Sequence, residues 1–225
     1  MLNNFRVNGS CGVCLRLSGM KLNELERVLA GLKSAGAPSP ALEQYPTPAR
    51  IAAAIVFDAA MRGDVAGRSI ADLGCGAGIF AIASVLMGCA FAEGFDSDPA
   101  AVAAAEENAR QSLPRSMRKR VQFVKEDIGH VGGRYDTVFQ NPPFGAQRRN
   151  ADVPFIRKAL EIGSSIYTMH QAVAREFVER RVEQLGGAVE FEKSFTYEMP
   201  WMFAFHTRKV RKFELILFKV VKIHR

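Results

Sequence analysis

The sequence predicts an α/β fold in which a mostly parallel sheet of seven strands carries helices on both faces. From Ser69 onward, short apolar runs alternate with helical stretches, and strand–helix alternation at this spacing is typical of parallel sheets. The last two apolar runs follow each other with no helix between them, which predicts an antiparallel pair at the sheet edge. With 225 residues, 48% of them hydrophobic, the chain is long enough to build one substantial core.

Two helices are predicted ahead of the sheet. Apolar residues recur at helical spacing from Leu22 to Leu32, and Gly36 and Pro38 predict the end of that helix. Thr47 followed by Pro48 is typical of an N-cap and first turn, and predicts a second helix through Met61. The predicted strands are 70–73, 91–95, 121–124, 137–139, 165–169, 188–195 and 213–221, and the later helices are 79–87, 99–111 and 172–185.

Residues 1–19 show no clear period and are predicted to form a loosely ordered extension, whereas residues 20–225 are predicted to form a single domain. Cys11 and Cys14 have the spacing of half a zinc knuckle. No second CxxC or His pair stands at a matching distance, so no metal site is predicted.

The amino-acid composition indicates the charge of the partner and the cellular compartment. The formal net charge of +7 favours an anionic partner. Four unevenly spaced cysteines do not make a disulfide framework, which favours a reducing compartment. No apolar run approaches the roughly 20 residues of a membrane span, so we expect a cytoplasmic protein with no membrane partner.

A glycine-rich loop, Asp72-Leu73-Gly74-Cys75-Gly76-Ala77-Gly78, follows the first predicted strand and precedes a helix. This is the position at which a doubly wound sheet meets its ligand. Its spacing, G-x-G-x-G, differs from the dinucleotide fingerprint, and no Walker lysine follows. Asp96 ends the second strand, where a carboxylate can bind the two hydroxyls of a ribose, and Asp127 follows the third strand, where it can accept from an adenine amino group beside Ile128.

The fourth strand opens into Asn141-Pro142-Pro143-Phe144. Two prolines cannot donate to a sheet ladder and fix the path of the chain as it leaves the strand. On that stiff turn, an amide oxygen and a carbonyl can accept hydrogen bonds from an exocyclic amine, and the ring of Phe144 offers a face for a planar base.

A glycine loop, an acid after the second strand, an acid after the third strand and Asn-Pro-Pro-Phe after the fourth occur here in that order. In this arrangement the chain resembles the Rossmann-like, class I methyltransferases that use S-adenosyl-L-methionine. The Asn-Pro-Pro-aromatic motif is similar to that of enzymes that methylate an amino or amide nitrogen. More narrowly, the chain resembles the small-subunit rRNA adenine-N6 methyltransferase family of archaea and eukaryotes. The resemblance rests on segments 42–47, 72–76, 94–98 and 141–145, followed in order by Phe155, Tyr167, His170, Tyr197, Pro200, Phe205 and His206.

The resemblance implies a site for S-adenosyl-L-methionine, catalysis on RNA, and a heterodimer with a small zinc-containing activator protein. Catalysis is expected at Asn141, Pro142, Pro143 and Phe144. The implied cofactor-binding residues are Gln44, Thr47, Gly74, Ala77, Ile79, Asp96, Asp127 and Ile128.

The RNA is expected to contact Phe144 and two basic stretches. Arg148 and Arg149 follow the motif directly, and His206, Arg208 and Lys209 lie in an aromatic-then-basic segment that could grip phosphates while presenting rings to bases. A solvated connection between the last two strands explains the second stretch equally well.

Three alternatives stay open at this point. A ribosomal RNA guanine-N2 methyltransferase can carry the same four-residue motif. A protein glutamine N-methyltransferase has a similar motif, in which the aromatic residue is usually Tyr. A non-catalytic RNA-binding module of the same fold is the third, although it would require neither Asn141 nor an uninterrupted glycine loop.

Overall fold

The computed structural model describes residues 19–34, 46–143, 151–199 and 211–223. Within these ranges the strands are β1 (Ser69–Leu73), β2 (Phe91–Asp96), β3 (Val121–Lys125), β4 (Tyr135–Gln140), β5 (Gly163–Gln171), β6 (Gly187–Met199) and β7 (Arg211–Lys222). The helices are α1 (Leu22–Ala30), α2 (Ala49–Met61), α3 (Ile79–Leu86), α4 (Pro99–Ser112), α5 (Val153–Ile162) and α6 (Arg175–Gln184).

The strands form one sheet in the order β3-β2-β1-β4-β5-β7-β6. The first five strands in that order pair in parallel, whereas β7 is antiparallel to both β5 and β6. In the register, Leu73 lies between Phe95 and Gln140, and Asp96 pairs with Lys125. Because parallel strands end at the same edge, the residues that follow β1, β2, β3 and β4 all emerge there.

Two apolar layers sandwich the sheet. On one face, α1 to α4 pack through a core that includes Leu25, Ile55 and Phe139. On the other face, α5 and α6 pack through a core that includes Val138 and Phe218. Successive residues of β4 therefore point to opposite layers, as the two-residue period of a strand requires.

The predicted α/β class, the seven strands and the antiparallel pair are confirmed. The sequence did not indicate that β7 inserts between β5 and β6, because the order of strands in a sheet is a long-range property. Helix α5 was missed, and the helix predicted over 172–185 begins with a 3₁₀ turn, Ala172–Ala174, before α6. Within the described ranges, every helix falls short of the length and apolar character that a bilayer crossing requires.

Candidate active site

The glycine loop after β1 has the backbone conformation that its glycines predict. Gly74, Gly76 and Gly78 have φ angles of 68°, 52° and 83°, in the left-handed region that other residues adopt only with strain. Gly78 also has no room for a side chain, because a Cβ there would lie 2.8 Å from the Phe123 ring. The ring of Phe155, on α5, bounds the loop at Gly74, where a Cβ would approach it to 3.1 Å.

Asp96 ties this loop to the end of β2. Its Oδ2 accepts from the backbone N–H of Gly76 at 2.9 Å, and its Oδ1 accepts from the N–H of Asp98 at 3.0 Å. Each carboxylate oxygen has two lone pairs, so both retain capacity for the hydroxyls of a ribose. The backbone carbonyl of Asp96 also accepts from Glu126 N–H at 2.9 Å, which fixes the start of the loop after β3 against β2.

Asp127 and Ile128 lie in that next loop. Asp127 is exposed, and its Oδ1 accepts from Gly129 N–H at 2.8 Å, so the carboxylate is held in a tight local turn. Ile128 is half-buried and packs against the core beneath α5. Both residues therefore lie at the same sheet edge as Asp96, where the sequence predicted them.

Asp72, the last residue but one of β1, is a buried acid beneath the glycine loop. Only 1% of its surface is exposed, and its Oδ2 accepts from Ala81 N–H in the first turn of α3 at 3.0 Å. Burial, opposed by the Ala81 hydrogen bond and assisted by the nearby negative charge of Asp96, raises the pKa of Asp72 to about 7. The motif contained Asp72, but nothing in the sequence separated its role from that of an ordinary strand residue.

Asn108 on α4 is a second residue that sequence reasoning missed. It is buried, and its Nδ2 donates to the carbonyl of Ala77 at 3.0 Å and to that of Lys33 at 2.9 Å. The glycine loop is thereby held from behind just before Ile79, the first residue of α3. An Asn on a helix gives no local signal for such a contact.

The Asn-Pro-Pro turn leaves β4 at this edge, with Asn141 and Pro143 half-buried and Pro142 buried. The Nδ2 of Asn141 donates to Thr47 Oγ1 at 3.0 Å. The predicted N-cap role of Thr47 is wrong: α2 begins at Ala49 with Pro48 as its N-cap, and no side chain caps it. Thr47 thus lies one residue ahead of the N-cap, and its hydroxyl accepts from Asn141 instead of capping the helix.

Several predicted site residues fall outside the described ranges. These residues are Gln44, Phe144, Arg148, Arg149, His206, Arg208 and Lys209, together with the Cys11 and Cys14 pair.

Among the described residues, no group of three or more His, Cys, Asp or Glu side chains could hold a metal ion.

The described part of the site combines three capabilities. The glycine loop after β1 lets a ligand approach its backbone closely. The Asp96 carboxylate at the end of β2 can bind hydroxyls. The oriented amide of Asn141 follows β4, the strand next to β1. These groups suit a nucleoside-containing ligand on the β1–β3 side and an amine-bearing partner on the β4 side.

Comparisons with known proteins agree with this geometry. A family model described as ribosomal protein L11 methyltransferase matches residues 54–141, which run from within α2 to the Asn of the Asn-Pro-Pro turn. The chain is 35% identical over 216 residues to the uncharacterized protein MJ0284 of Methanocaldococcus jannaschii, covering 91% of this chain and 95% of that protein.

Two further relatives carry a functional description. The rRNA N(6)-adenosine-methyltransferase Mettl5 of Drosophila melanogaster is 30% identical over 207 residues, covering 88% of this chain and 95% of its own length. A crystal structure of PH1948 from Pyrococcus horikoshii, described provisionally as an RNA methyltransferase, superposes with a TM-score of 0.81 at 31% identity, covering 91% of this chain and 99% of that one.

Proposed function

This chain belongs to the family that includes the Drosophila rRNA N(6)-adenosine-methyltransferase Mettl5, and we propose that it transfers a methyl group from S-adenosyl-L-methionine to the N6 amine of an adenine in RNA. The RNA that we propose is small-subunit ribosomal RNA. The observation that carries the proposal is the amide of Asn141, which is oriented by Thr47 and follows the strand next to the one that opens into the glycine loop.

The β1–β3 side of the site fits the methyl donor. The Asp96 carboxylate suits the ribose hydroxyls, Asp127 and Ile128 suit the adenine edge, and the backbone of Gly74 to Ile79 passes close to the donor. Thr47, just before α2, and Gln44 complete the proposed set. When bound, S-adenosyl-L-methionine supplies a methyl group on a positively charged sulfur, so its transfer requires alignment more than a strong base.

The β4 side of the site fits the target amine. The lone pair of an adenine N6 is delocalised into the ring, which makes this amine a poor nucleophile. We propose that Asn141 Oδ1 and the Pro142 carbonyl accept its two hydrogens, which favours a pyramidal nitrogen whose lone pair points toward the methyl group. Thr47 supports this role because its hydroxyl accepts from Asn141 Nδ2, so Oδ1 points away from Thr47.

The target base has to be single-stranded or unstacked to reach such a turn. We propose that Phe144 stacks on the base, and that Arg148, Arg149, His206, Arg208 and Lys209 contact the RNA. Stacking on an aromatic ring contributes about 1–3 kcal/mol per base, so Phe144→Ala is expected to lower transfer by roughly 5- to 150-fold while leaving donor binding nearly intact.

A protein substrate is the alternative that the L11 methyltransferase model raises. That match ends at Asn141, so it covers the donor half of the domain and excludes everything that follows the motif. The similarity to an rRNA methyltransferase covers 88% of this chain, far more than the L11 methyltransferase model covers, and favours RNA.

We also propose a small zinc-containing activator protein as a partner. In the described part of the chain, β3 and β6 are the two edges of the sheet, and an edge strand presents unpaired backbone groups that a second protein can cover. Co-expression with a candidate activator and size-exclusion chromatography test this partner: co-elution supports it, and separate elution contradicts it.

The function is tested by incubating the protein with labelled S-adenosyl-L-methionine and deproteinised small-subunit RNA, with and without the candidate activator. Nuclease digestion and nucleoside mass spectrometry then identify the product. The proposal expects N6-methyladenosine. Methylguanosine would move the assignment to guanine-N2, and labelled ribosomal protein without labelled RNA would move it to a protein substrate.

A further inference from the structure

Behind the Asn-Pro-Pro turn, on the α5 side of the sheet, lies a chain of four buried polar side chains. Gln140 Nε2 donates to Thr168 Oγ1 at 2.9 Å, and Thr168 Oγ1 lies 2.7 Å from His170 Nε2. His170 Nδ1 lies 3.5 Å from Asp152 Oδ2. The exposed fractions of Gln140, Thr168, His170 and Asp152 are 1%, 1%, 2% and 8%.

The contacts of His170 fix the orientation of its ring. Thr168 Oγ1 accepts from Gln140 Nε2 and keeps both its own proton and a second lone pair for the contact with His170 Nε2. On the other side of the ring, Nδ1 faces the carboxylate of Asp152. The imidazole is therefore held between Thr168 and Asp152.

Asp152 and Gln140 are connected to the candidate active site in different ways. Asp152 is the N-cap of α5, yet its carboxylate makes no capping bond and reaches toward His170 instead. Gln140 is the last residue of β4 and immediately precedes Asn141. The side chain of Gln140 is anchored on the α5 side of the sheet, whereas that of Asn141 reaches Thr47, just before α2.

Core stability alone does not explain these four residues. Buried polar networks contribute to stability only when every member is satisfied, and apolar residues of similar size usually pack as well. Here Oε1 of Gln140 has no hydrogen-bond partner among the described residues, which leaves part of the desolvation cost uncompensated. The network sits directly behind the proposed catalytic turn, where rigidity affects transfer.

We propose that Thr168 and His170 are positioning residues: through Gln140 they fix the backbone of Asn141, and with it the two acceptors that hold the target amine. This role rests on the methyl transfer proposed above. A misplacement of about 1 Å at a reacting group can cost roughly 100-fold in rate, so loss of the network lowers kcat without weakening donor binding.

The test compares Thr168→Val, which keeps the shape and removes the hydroxyl, with Thr168→Ser, which keeps the hydroxyl. We expect Thr168→Val to lower kcat for N6-methyladenosine formation by about 10- to 100-fold and Thr168→Ser to stay near wild type. The Kd for S-adenosyl-L-methionine should stay within about twofold in both. His170→Phe, which removes both ring-nitrogen contacts and keeps a ring beside Phe218, is the second variant if Thr168→Val does not fold.

An NMR measurement that does not depend on methyl transfer tests this inference separately from the proposed function. In protein labelled with ¹⁵N-asparagine, the side-chain amide signal of Asn141 is assigned from its loss in Asn141→Ala. Thr168→Val should shift or broaden that signal, and Thr168→Ser should not. A folded Thr168→Val protein with an unchanged Asn141 signal overturns the inference. If the wild-type protein makes no methylated RNA, the proposed function is wrong. The Asn141 amide signal in Thr168→Val still tests the positioning role in that case.

Discussion

The side-chain nitrogen of Asn141 donates a hydrogen bond to the hydroxyl of Thr47 across 3.0 Å, although the two residues are 94 positions apart. Because an amide has its donors on nitrogen and its acceptor on oxygen, this bond determines where Oδ1 points. Thr47 stands at the start of α2, on the side where the methyl donor is proposed to bind. The pair thus couples the donor half of the site to the acceptor that is proposed to hold the target amine.

Thr47→Val is expected to lower kcat by about 10- to 100-fold, because the Asn141 amide loses the partner that orients it. The Kd for S-adenosyl-L-methionine should weaken by a smaller factor, since Thr47 is one of several proposed donor contacts. Thr47→Ser, which keeps the hydroxyl, is the matched control. Steady-state kinetics and calorimetry measure the two effects, and an unchanged kcat in Thr47→Val would show that the pair does not orient Asn141.

Gly94→Ala is expected to destabilise the protein by about 1–3 kcal/mol through overpacking. A Cβ at Gly94 would lie 2.5 Å from Cδ1 of Phe123, in the layer that supports the glycine loop. Phe123→Leu in the same chain should recover part of the loss, because it removes the clashing ring atoms. Urea unfolding measures both variants.

Gly132→Ala is the matched control for that prediction. A Cβ at Gly132 meets nothing within 4 Å, so its unfolding midpoint should stay close to that of the wild type. Equal unfolding midpoints for Gly94→Ala and Gly132→Ala would contradict the close packing of the Phe123 ring, on β3, against Gly94, on β2.

Asp72 is expected to make stability depend on pH. Its pKa is raised by burial from 3.8 to about 7, so between these values the folded protein holds a proton that the unfolded chain has released. Stability from this group is therefore greatest at low pH and falls by roughly 1.4 kcal/mol per pH unit until pH reaches about 7.

The measurement for Asp72 is urea unfolding of wild type and Asp72→Asn at several pH values. The difference, wild type minus variant, should fall as pH rises from about 4 to about 7 and then level off. The amide keeps an acceptor for Ala81 N–H, so the comparison isolates the titration. A difference that is constant with pH would show that Asp72 keeps its ordinary pKa, and one that rises with pH would show that its pKa is lowered; either result contradicts the prediction.

The residues that follow the strands were predictable from the sequence, because glycines, acids and prolines act on the backbone of their own segment. Glycines, acids and prolines after β1 to β4 mark the sheet edge directly, and the structure places Gly76, Asp96 and Asn141 there. The N-cap role of Thr47 was predicted wrongly, because the local pattern contains no sign of a contact made 94 positions away. The burial of Asp72 and the network behind Gln140 likewise depend on packing between distant elements, which residue patterns do not encode.

The most direct test of the account compares wild type with Asn141→Ala, and uses Asn23→Ala on the exposed surface of α1 as the control. Donor binding is measured by calorimetry, and N6-methyladenosine formation on deproteinised small-subunit RNA by mass spectrometry. We predict that all three proteins bind S-adenosyl-L-methionine with similar Kd, while only Asn141→Ala loses the product. A variant that still forms N6-methyladenosine at the wild-type rate, or that loses donor binding together with activity, would contradict the role assigned to Asn141.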